Sequence, residues 1–215
     1  MMKRKKRKIK NSFKLRSIEV KFLKFSVLTS CDENFSELQD ITSPNVRSYC
    51  EKHGYDCKIS RIIEKERPAS WYKIKNILNA FDDDYDYVFW IDADAIFVNN
   101  NIKLEDFIEE NKLFYFSCNW AALNAGVFMM KNTEFNKEFL NKVWNYNCDV
   151  FNKWWEQLAI ISLLESGHYP ENLIKELPAS VFNSEEYWSG CFVYHMIGEA
   201  YSDRLKKFRK ILSKG

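Results

Sequence analysis

Asp92 and Asp94 stand two residues apart inside the run Tyr87-Val88-Phe89-Trp90-Ile91-Asp92-Ala93-Asp94-Ala95-Ile96-Phe97-Val98, where ten apolar residues enclose them. A run this apolar reads as a strand buried on both faces, and strand alternation would point both carboxylates to one side. Carboxylates in so apolar a setting are costly unless a cation or a hydrogen-bond network compensates them. Aspartate oxygens are hard ligands that suit magnesium or manganese. The spacing therefore predicts a divalent cation near the end of a central strand, where open α/β sheets bind ligands. The other reading of an Asp-x-Asp pair is a strand ending in a solvated turn, and the apolar sequence on both sides weighs against it. Asp82, Asp83, Asp84 and Asp86 precede the run and read as a solvated helix-to-strand turn.

Other residues could share the chemistry. His195 ends an apolar strand and precedes Met196-Ile197-Gly198, where glycine would let backbone approach a phosphate. His53 precedes a helix-ending glycine and reads as structural. His168, in a Gly-His-Tyr-Pro turn, reads as exposed. Asn124-Ala125-Gly126 reads as a tight turn that could set an amide and bare backbone beside a sugar. Glu156-Gln157 opens an apolar helix after Trp154-Trp155, where the dipole favours an acid in any case. Those side chains could hydrogen-bond a polyol while tryptophans stack on it. Trp71, Trp120, Trp154 and Trp155 are otherwise core candidates.

The elements that must hold these groups follow an α/β order. Lys24–Ser30 reads as a first strand. Ser43-Pro44 reads as the start of a helix running to His53, with Gly54 ending it. Tyr55–Ile59 is a second strand, Trp71–Phe81 a helix with Trp71, Ile74, Ile77 and Leu78 along one stripe, and the Asp-x-Asp run a third strand. Strand, helix, strand, helix, strand predicts a largely parallel sheet. Further on, strands are expected at Leu113–Cys118, Val127–Met130 and Phe192–Tyr194. Helices are expected at Glu134–Tyr146, Trp155–Glu165 and Asp203–Leu212.

Composition fits a folded domain, with 46% hydrophobic and 16% aromatic residues in a chain of 215. Six glycines and four prolines leave no material for a flexible linker. Nine of the 32 basic residues fall within residues 1–18, which hold no acid. The rest has 23 basic against 30 acidic residues, a net of −7. Residues 1–18 are thus expected to be a disordered basic arm that could touch an anionic membrane surface, ahead of a single domain over residues 19–215. The acidic body argues against nucleic acid as a specific partner. No stretch reaches the roughly 20 apolar residues of a membrane span, and no secretory signal is evident, so the expectation is a cytoplasmic protein. Its six cysteines lack zinc-type spacing and are expected to be reduced.

Taken in order, seven segments resemble the GT-A-fold nucleotide-sugar glycosyltransferases, nearest the galactosyl/xylosyl/mannosyl transferases of family 34. They are Val27-Leu28-Thr29-Ser30, His53-Gly54-Tyr55, Trp71-Tyr72-Lys73-Ile74, Trp90-Ile91-Asp92-Ala93-Asp94-Ala95, Leu123-Asn124-Ala125-Gly126-Val127-Phe128, Glu156-Gln157-Leu158-Ala159 and His195-Met196-Ile197-Gly198. The resemblance covers about residues 24–200. It implies a Rossmann-like α/β fold and transfer of a hexose or pentose from a nucleoside-diphosphate sugar, UDP-linked, to a sugar hydroxyl of a glycan or glycoprotein acceptor. It favours retention at the anomeric carbon. It also implies that Asp92, Asp94 and His195 hold Mn2+ (or Mg2+) against the donor diphosphate. Thr29, Ser30, Lys73, Ala93 and Gly198 would line the nucleotide and phosphate side, and Asn124, Ala125 and Gly126 the sugar side. Glu156 and Gln157 would stand at the reactive face of the sugar as the catalytic pair. The family usually has Asp-Gln where this chain has Glu156-Gln157. Glu199 stands where a lysine or polar residue is common, which would pass diphosphate neutralisation to Arg204, Lys206 or Lys207.

Two other functions share some of these features. A haloacid-dehalogenase-like phosphatase also carries Asp-x-Asp after an apolar strand, but that strand opens its fold, whereas Asp92 follows two strands and two helices. An inactive nucleotide-sugar-binding protein would bind the donor without turnover.

Overall fold

The computed structural model describes residues 23–119 and 122–213. The basic arm of residues 1–18 and Trp120 lie outside them. Eight strands and six helices follow one another as β1 (Phe25–Cys31), α1 (Ser36–His53), β2 (Asp56–Arg61), α2 (Tyr72–Asp82), β3 (Tyr87–Ile91), β4 (Ala95–Phe97), β5 (Phe114–Cys118), β6 (Leu123–Lys131), α3 (Glu134–Trp144), α4 (Trp155–Glu165), β7 (Ile174–Leu177), α5 (Ala179–Phe182), β8 (Val193–His195) and α6 (Tyr201–Leu212). Six strands form one sheet in the order β2-β1-β3-β6-β5-β7, and β4 pairs with β8 in a separate ribbon. Five strands of the large sheet run one way and β6 runs against them.

The sheet is buried on both faces, which is why its central strands read as unbroken apolar runs. Val88 and Trp90 of β3 pack with Ile74, Ile77, Phe139, Leu140 and Ile160 of α2, α3 and α4. Tyr87, Phe89 and Ile91 face the other way, onto Val46 and Tyr49 of α1, Phe97 of β4 and Phe192. A third cluster joins Leu38 of α1 and Phe208 of α6 to Ile96 and Tyr194 of the ribbon. Among the described residues no helix is long and apolar enough to cross a membrane.

Three local expectations are corrected. The run from Tyr87 to Val98 is two strands in two sheets, because the chain turns at Asp92–Asp94 and β4 leaves to pair with β8. Both pieces remain buried, so the apolar pattern carries no mark of the break. Asn124-Ala125-Gly126 lies inside β6 and is not a turn; its small residues make room for neighbours. Helix α1 starts at Ser36, eight residues ahead of Pro44, which sits inside it. Burial of Leu38 and Thr42 holds that first half in place despite the hydrogen bond the proline cannot donate. Gly54 does end α1, in the left-handed region at φ 74°. The sequence reading missed β7 and α5 altogether.

Candidate active site

The turn that carries the two aspartates is held from every side. Asp92 N–H donates to Gly126 O of β6 (2.8 Å), Ala95 N–H to Asp92 O (3.1 Å) and Met196 N–H to Asp94 O (3.0 Å). From α1, the Thr42 hydroxyl donates to Ala93 O at 2.9 Å. Asn45 grips β4, its side chain donating to Phe97 O (2.9 Å) and accepting from Phe97 N–H (2.8 Å). The aspartates converge because this turn is clamped, not because strand alternation aligns them.

The sheet register brings His195 of β8 opposite Ala95 of β4. Ligand atoms of Asp92, Asp94 and His195 all lie within 4.8 Å of one another. Gly126 makes this possible: a Cβ there would sit 2.1 Å from His195 Cε1 and 2.9 Å from its Nδ1. His195 Nδ1 faces Asn183 Oδ1 at 2.9 Å, and Asn183 Nδ2 donates to Val127 O at 3.2 Å. That amide orientation assigns the proton to Nδ1 and leaves Nε2 as a lone pair. Nε2 stands 3.2 Å from Asp94 Oδ1, so two acceptors face each other and call for a proton or a metal between them.

The remaining carboxylate oxygens are accounted for. Asp92 Oδ1 accepts from Trp90 Nε1 (2.6 Å) and lies 3.1 Å from Lys73 Nζ, leaving Oδ2 for a ligand. Asp94 Oδ2 accepts from Arg204 of α6 at 2.6 Å. Burial pushes the Asp94 carboxyl up, but with a proton on Nε2 the His195 ring, together with Arg204, outweighs it and holds it below the usual carboxylate range. Two carboxylate oxygens and one imidazole nitrogen suit Mn2+ or Mg2+, with positions left over for substrate oxygens. The residues present fit such an ion.

Behind Asp92 lies a buried ionic group. Lys73, 2% exposed, places Nζ 2.8 Å from Glu156 Oε1, 2.8 Å from Ala125 O and 3.1 Å from Asp92 Oδ1. Burial opposes its charge, but Asp92 and Glu156 together raise its pKa above the ordinary lysine value. All three ammonium protons thus have protein acceptors, and Lys73 orients Asp92 where the sequence reading had it facing a phosphate or ribose. Burial pushes the Glu156 carboxyl up, with Lys73 pulling it back only in part. Its Oε2 is buried beside the Ser70 hydroxyl without a well-formed hydrogen bond. Gln157 accepts from Ala125 N–H through Oε1 (2.8 Å), and Asn124 Oδ1 accepts from Gly126 N–H (2.8 Å), so α4 and β6 are stitched together beside the aspartates.

Thr29 and Ser30 lie just before Cys31, the last residue of β1. Ser30 Oγ accepts from Asn76 Nδ2 at 3.0 Å, and the buried Thr29 hydroxyl has no partner. Thr29, Asn76, Asn79, Lys58 and Ser60 line an open cavity of about 210 Å³. Asn76 lies three residues from Lys73, on the same side of α2. Gly198 adopts φ 73° two residues beyond Met196, and a Cβ there would meet nothing within 4 Å. Of the three basic candidates on α6, Arg204 alone reaches an aspartate of the pair; Lys206 pairs with Asp203 and Lys207 lies over Tyr194. His53 Nε2 donates to Asn100 O, and His168 Nδ1 pairs with the Ser166 hydroxyl. Asn183, Thr42 and Asn45 were not anticipated; each is a lone polar residue without a local pattern.

Comparison with known proteins places this geometry. A crystal structure of a glycosyltransferase involved in glycosylation of the major capsid of PBCV-1 superposes with TM-score 0.73 at 16% identity, over 87% of this chain and 99% of that one. The Drosophila β-1,4-galactosyltransferase 7, solved as a mutant with manganese, UDP-Gal and xylobiose, gives TM-score 0.51 at 14% identity, over 85% of this chain and 74% of that one. These likenesses show the GT-A fold. Galactomannan galactosyltransferase 1 of Cyamopsis tetragonoloba is 27% identical over 129 residues, 53% of this chain. Probable glycosyltransferase 6 of Oryza sativa is 29% identical over 109 residues, 45% of this chain. The chain spans only 29% and 23% of the lengths of these curated relatives. Residues 46–215 match the model of a family described as "Protein of unknown function, DUF273", and the chain belongs to that family.

Proposed function

We propose that this domain is a metal-dependent glycosyltransferase. It moves a hexose or pentose from a nucleoside-diphosphate sugar, UDP-linked, to a sugar hydroxyl of a glycan acceptor with retention of configuration. The observation that carries the reading is the convergence of Asp92, Asp94 and His195 in a clamped turn of a GT-A fold, each offering one ligand atom. Kinship with family 34 belongs to the same proposal and is supported by the seven ordered motifs. So does the UDP assignment, which is supported by the UDP-Gal held by the Drosophila neighbour.

When bound, Mn2+ (or Mg2+) supplies Lewis-acid stabilisation of the charge that develops on the departing diphosphate. The chain's own residues do the rest. Asn183 fixes the His195 tautomer, while Lys73 and Trp90 fix Asp92. Arg204 holds Asp94 and is the cation best placed to exchange onto a diphosphate oxygen. The backbone of Thr29 and Ser30, with the adjoining cavity, takes the nucleoside, and Ala93 and Gly198 border the diphosphate. Asn124, Ala125 and Gly126 border the sugar. Gln157 presents an amide, which has no basicity to activate an acceptor, and Glu156 is tied beneath Lys73. That pairing supports a retaining course in which Gln157 steadies an oxocarbenium-like state and Glu156 supplies negative potential from behind.

Calorimetric titration of UDP with and without Mn2+, into wild type and Asp94→Ala, tests the reading. Mn2+-dependent binding that vanishes in the variant is the expected result. Silence for both UDP and GDP in the wild type would overturn it. Binding without turnover of any UDP-sugar would move the protein to a binding role.

A further inference from the structure

Six large apolar side chains are exposed among the described residues, and four of them, all aromatic, lie in two segments, one running into Glu156 and one shortly ahead of His195 in the chain: Phe151 (75%), Trp155 (47%), Tyr187 (47%) and Trp188 (50%). Each segment thus offers two exposed rings to a ligand. The first segment is braced. The Trp71 indole donates to Val150 O (3.0 Å), Asp149 caps Phe151 N–H (3.0 Å), and Asn152 caps Trp154 N–H (3.0 Å). Trp155 then takes φ 46°, a left-handed conformation that a bulky residue adopts only when its surroundings impose it, and its N–H donates to Asn152 O (2.8 Å). Its successor in the chain is Glu156, the partner of Lys73.

The second segment is fixed as well. The Trp188 ring lies over Gly190, where a Cβ would approach it to 1.8 Å, so only glycine permits that pose. Cys191 N–H closes the turn onto Trp188 O (3.1 Å). Tyr187 meets the buried ring of Tyr194 edge-on, centroids 5.6 Å apart, and Tyr194 precedes His195. Rigid, half-exposed aromatic faces beside a polar centre match a pyranose ring, which has an apolar C–H face and a polar rim of hydroxyls.

We propose that Trp155 and Trp188, backed by Phe151 and Tyr187, form stacking platforms for an acceptor oligosaccharide on the two flanks of the donor site. The acceptor is then a chain of sugars, read over more than one unit, and not a monosaccharide or a bare lipid alcohol. This deepens the transferase reading and rests on it.

The test is saturation-transfer NMR with mannotetraose, cellotetraose, xylotetraose and lactose, on wild type, Trp155→Ala, Trp188→Ala, both Phe variants and the control Leu23→Ala, which lies before the N-terminal end of β1, away from Thr29 and Ser30. At least one sugar should bind the wild type. Each alanine variant should lose about tenfold or more in affinity for it, phenylalanine should recover most of that loss, and the control should match wild type. The platform falls if the alanine variants bind as wild type does. It falls too if no sugar in the panel binds, or if the four rings instead drive binding to phosphatidylcholine vesicles. A Mn2+–UDP titration on the same samples separates the two ideas. Tryptophan-dependent sugar binding with no UDP binding sinks the transferase and leaves the platform, and the reverse sinks the platform alone.

Discussion

Gly126→Ala is the sharpest test of how the site is built. The new methyl would lie 2.1 Å from His195 Cε1, 2.9 Å from His195 Nδ1 and 2.9 Å from Asn124 Oδ1. Carbon atoms in contact sit about 3.5 Å apart, so one partner must retreat by about 1.4 Å. The backbone cannot, because Gly126 N–H is held by Asn124 and its carbonyl by Asp92 N–H. The imidazole must therefore move, and its bonds to Asn183 (2.9 Å) and towards Asp94 (3.2 Å) do not survive a shift of that size. Overpacking of this kind destabilises by roughly 1–3 kcal/mol. Loss of the imidazole's orientation should weaken divalent-metal affinity by about 10–100-fold. Urea denaturation reads the first quantity and Mn2+ calorimetry in the presence of UDP reads the second. A variant with wild-type stability and Mn2+ affinity within about twofold would show that His195 does not sit where this geometry puts it.

Three further substitutions separate the roles of neighbouring groups. Asn183→Ala removes the acceptor that sets the His195 tautomer and strands a buried N–H; Mn2+ affinity should fall about 10–100-fold with roughly 1–3 kcal/mol of stability lost, and metal binding unchanged by calorimetry would refute the role. Arg204→Ala frees Asp94 Oδ2, so Mn2+ alone should bind at least as tightly while UDP binds more weakly in its presence; a parallel loss of both would mean that Arg204 is needed to shape the turn instead. Lys73→Met leaves Glu156 buried without its cation and should destabilise by about 3–5 kcal/mol, whereas adding Glu156→Leu should recover much of that. Chemical denaturation of the two single variants and the double variant measures the coupling, and additive effects would break the argument.

Much of the architecture could be read in the sequence because its signals are local. The apolar run around Asp92, the amphipathic stripe of α2, Gly54 beyond α1 and the apolar start of α4 each reflect one element's own burial. The failures share a cause. Pro44 has the local look of a helix start, yet α1 begins earlier because Leu38 and Thr42 pack against the ribbon and the Asp92–Asp94 turn. Asn124-Ala125-Gly126 has the look of a turn, yet its smallness answers to the His195 ring, 69 residues away in the chain. The edge strand β7 is only partly buried and gives no alternation to read.

The site shows the same division. Asp92, Asp94 and His195 stand out in the sequence because each breaks an apolar pattern, and the fold brings their ligand atoms within 4.8 Å of one another. Asn183, Thr42, Asn45 and Arg204 were not legible as positioning groups because their partners lie far off in sequence: Thr42 reaches Ala93, Asn45 reaches Phe97 and Arg204 reaches Asp94. A single buried asparagine or threonine leaves no periodicity behind. Lys73 illustrates the consequence most clearly. The helical stripe of α2 says that position 73 is near the core, and a lysine there suggests a free cation for an anionic ligand. Only the fold reveals that Asp92, Glu156 and Ala125 O already hold all of its protons, which turns an expected ligand contact into the support on which the Asp92 carboxylate rests.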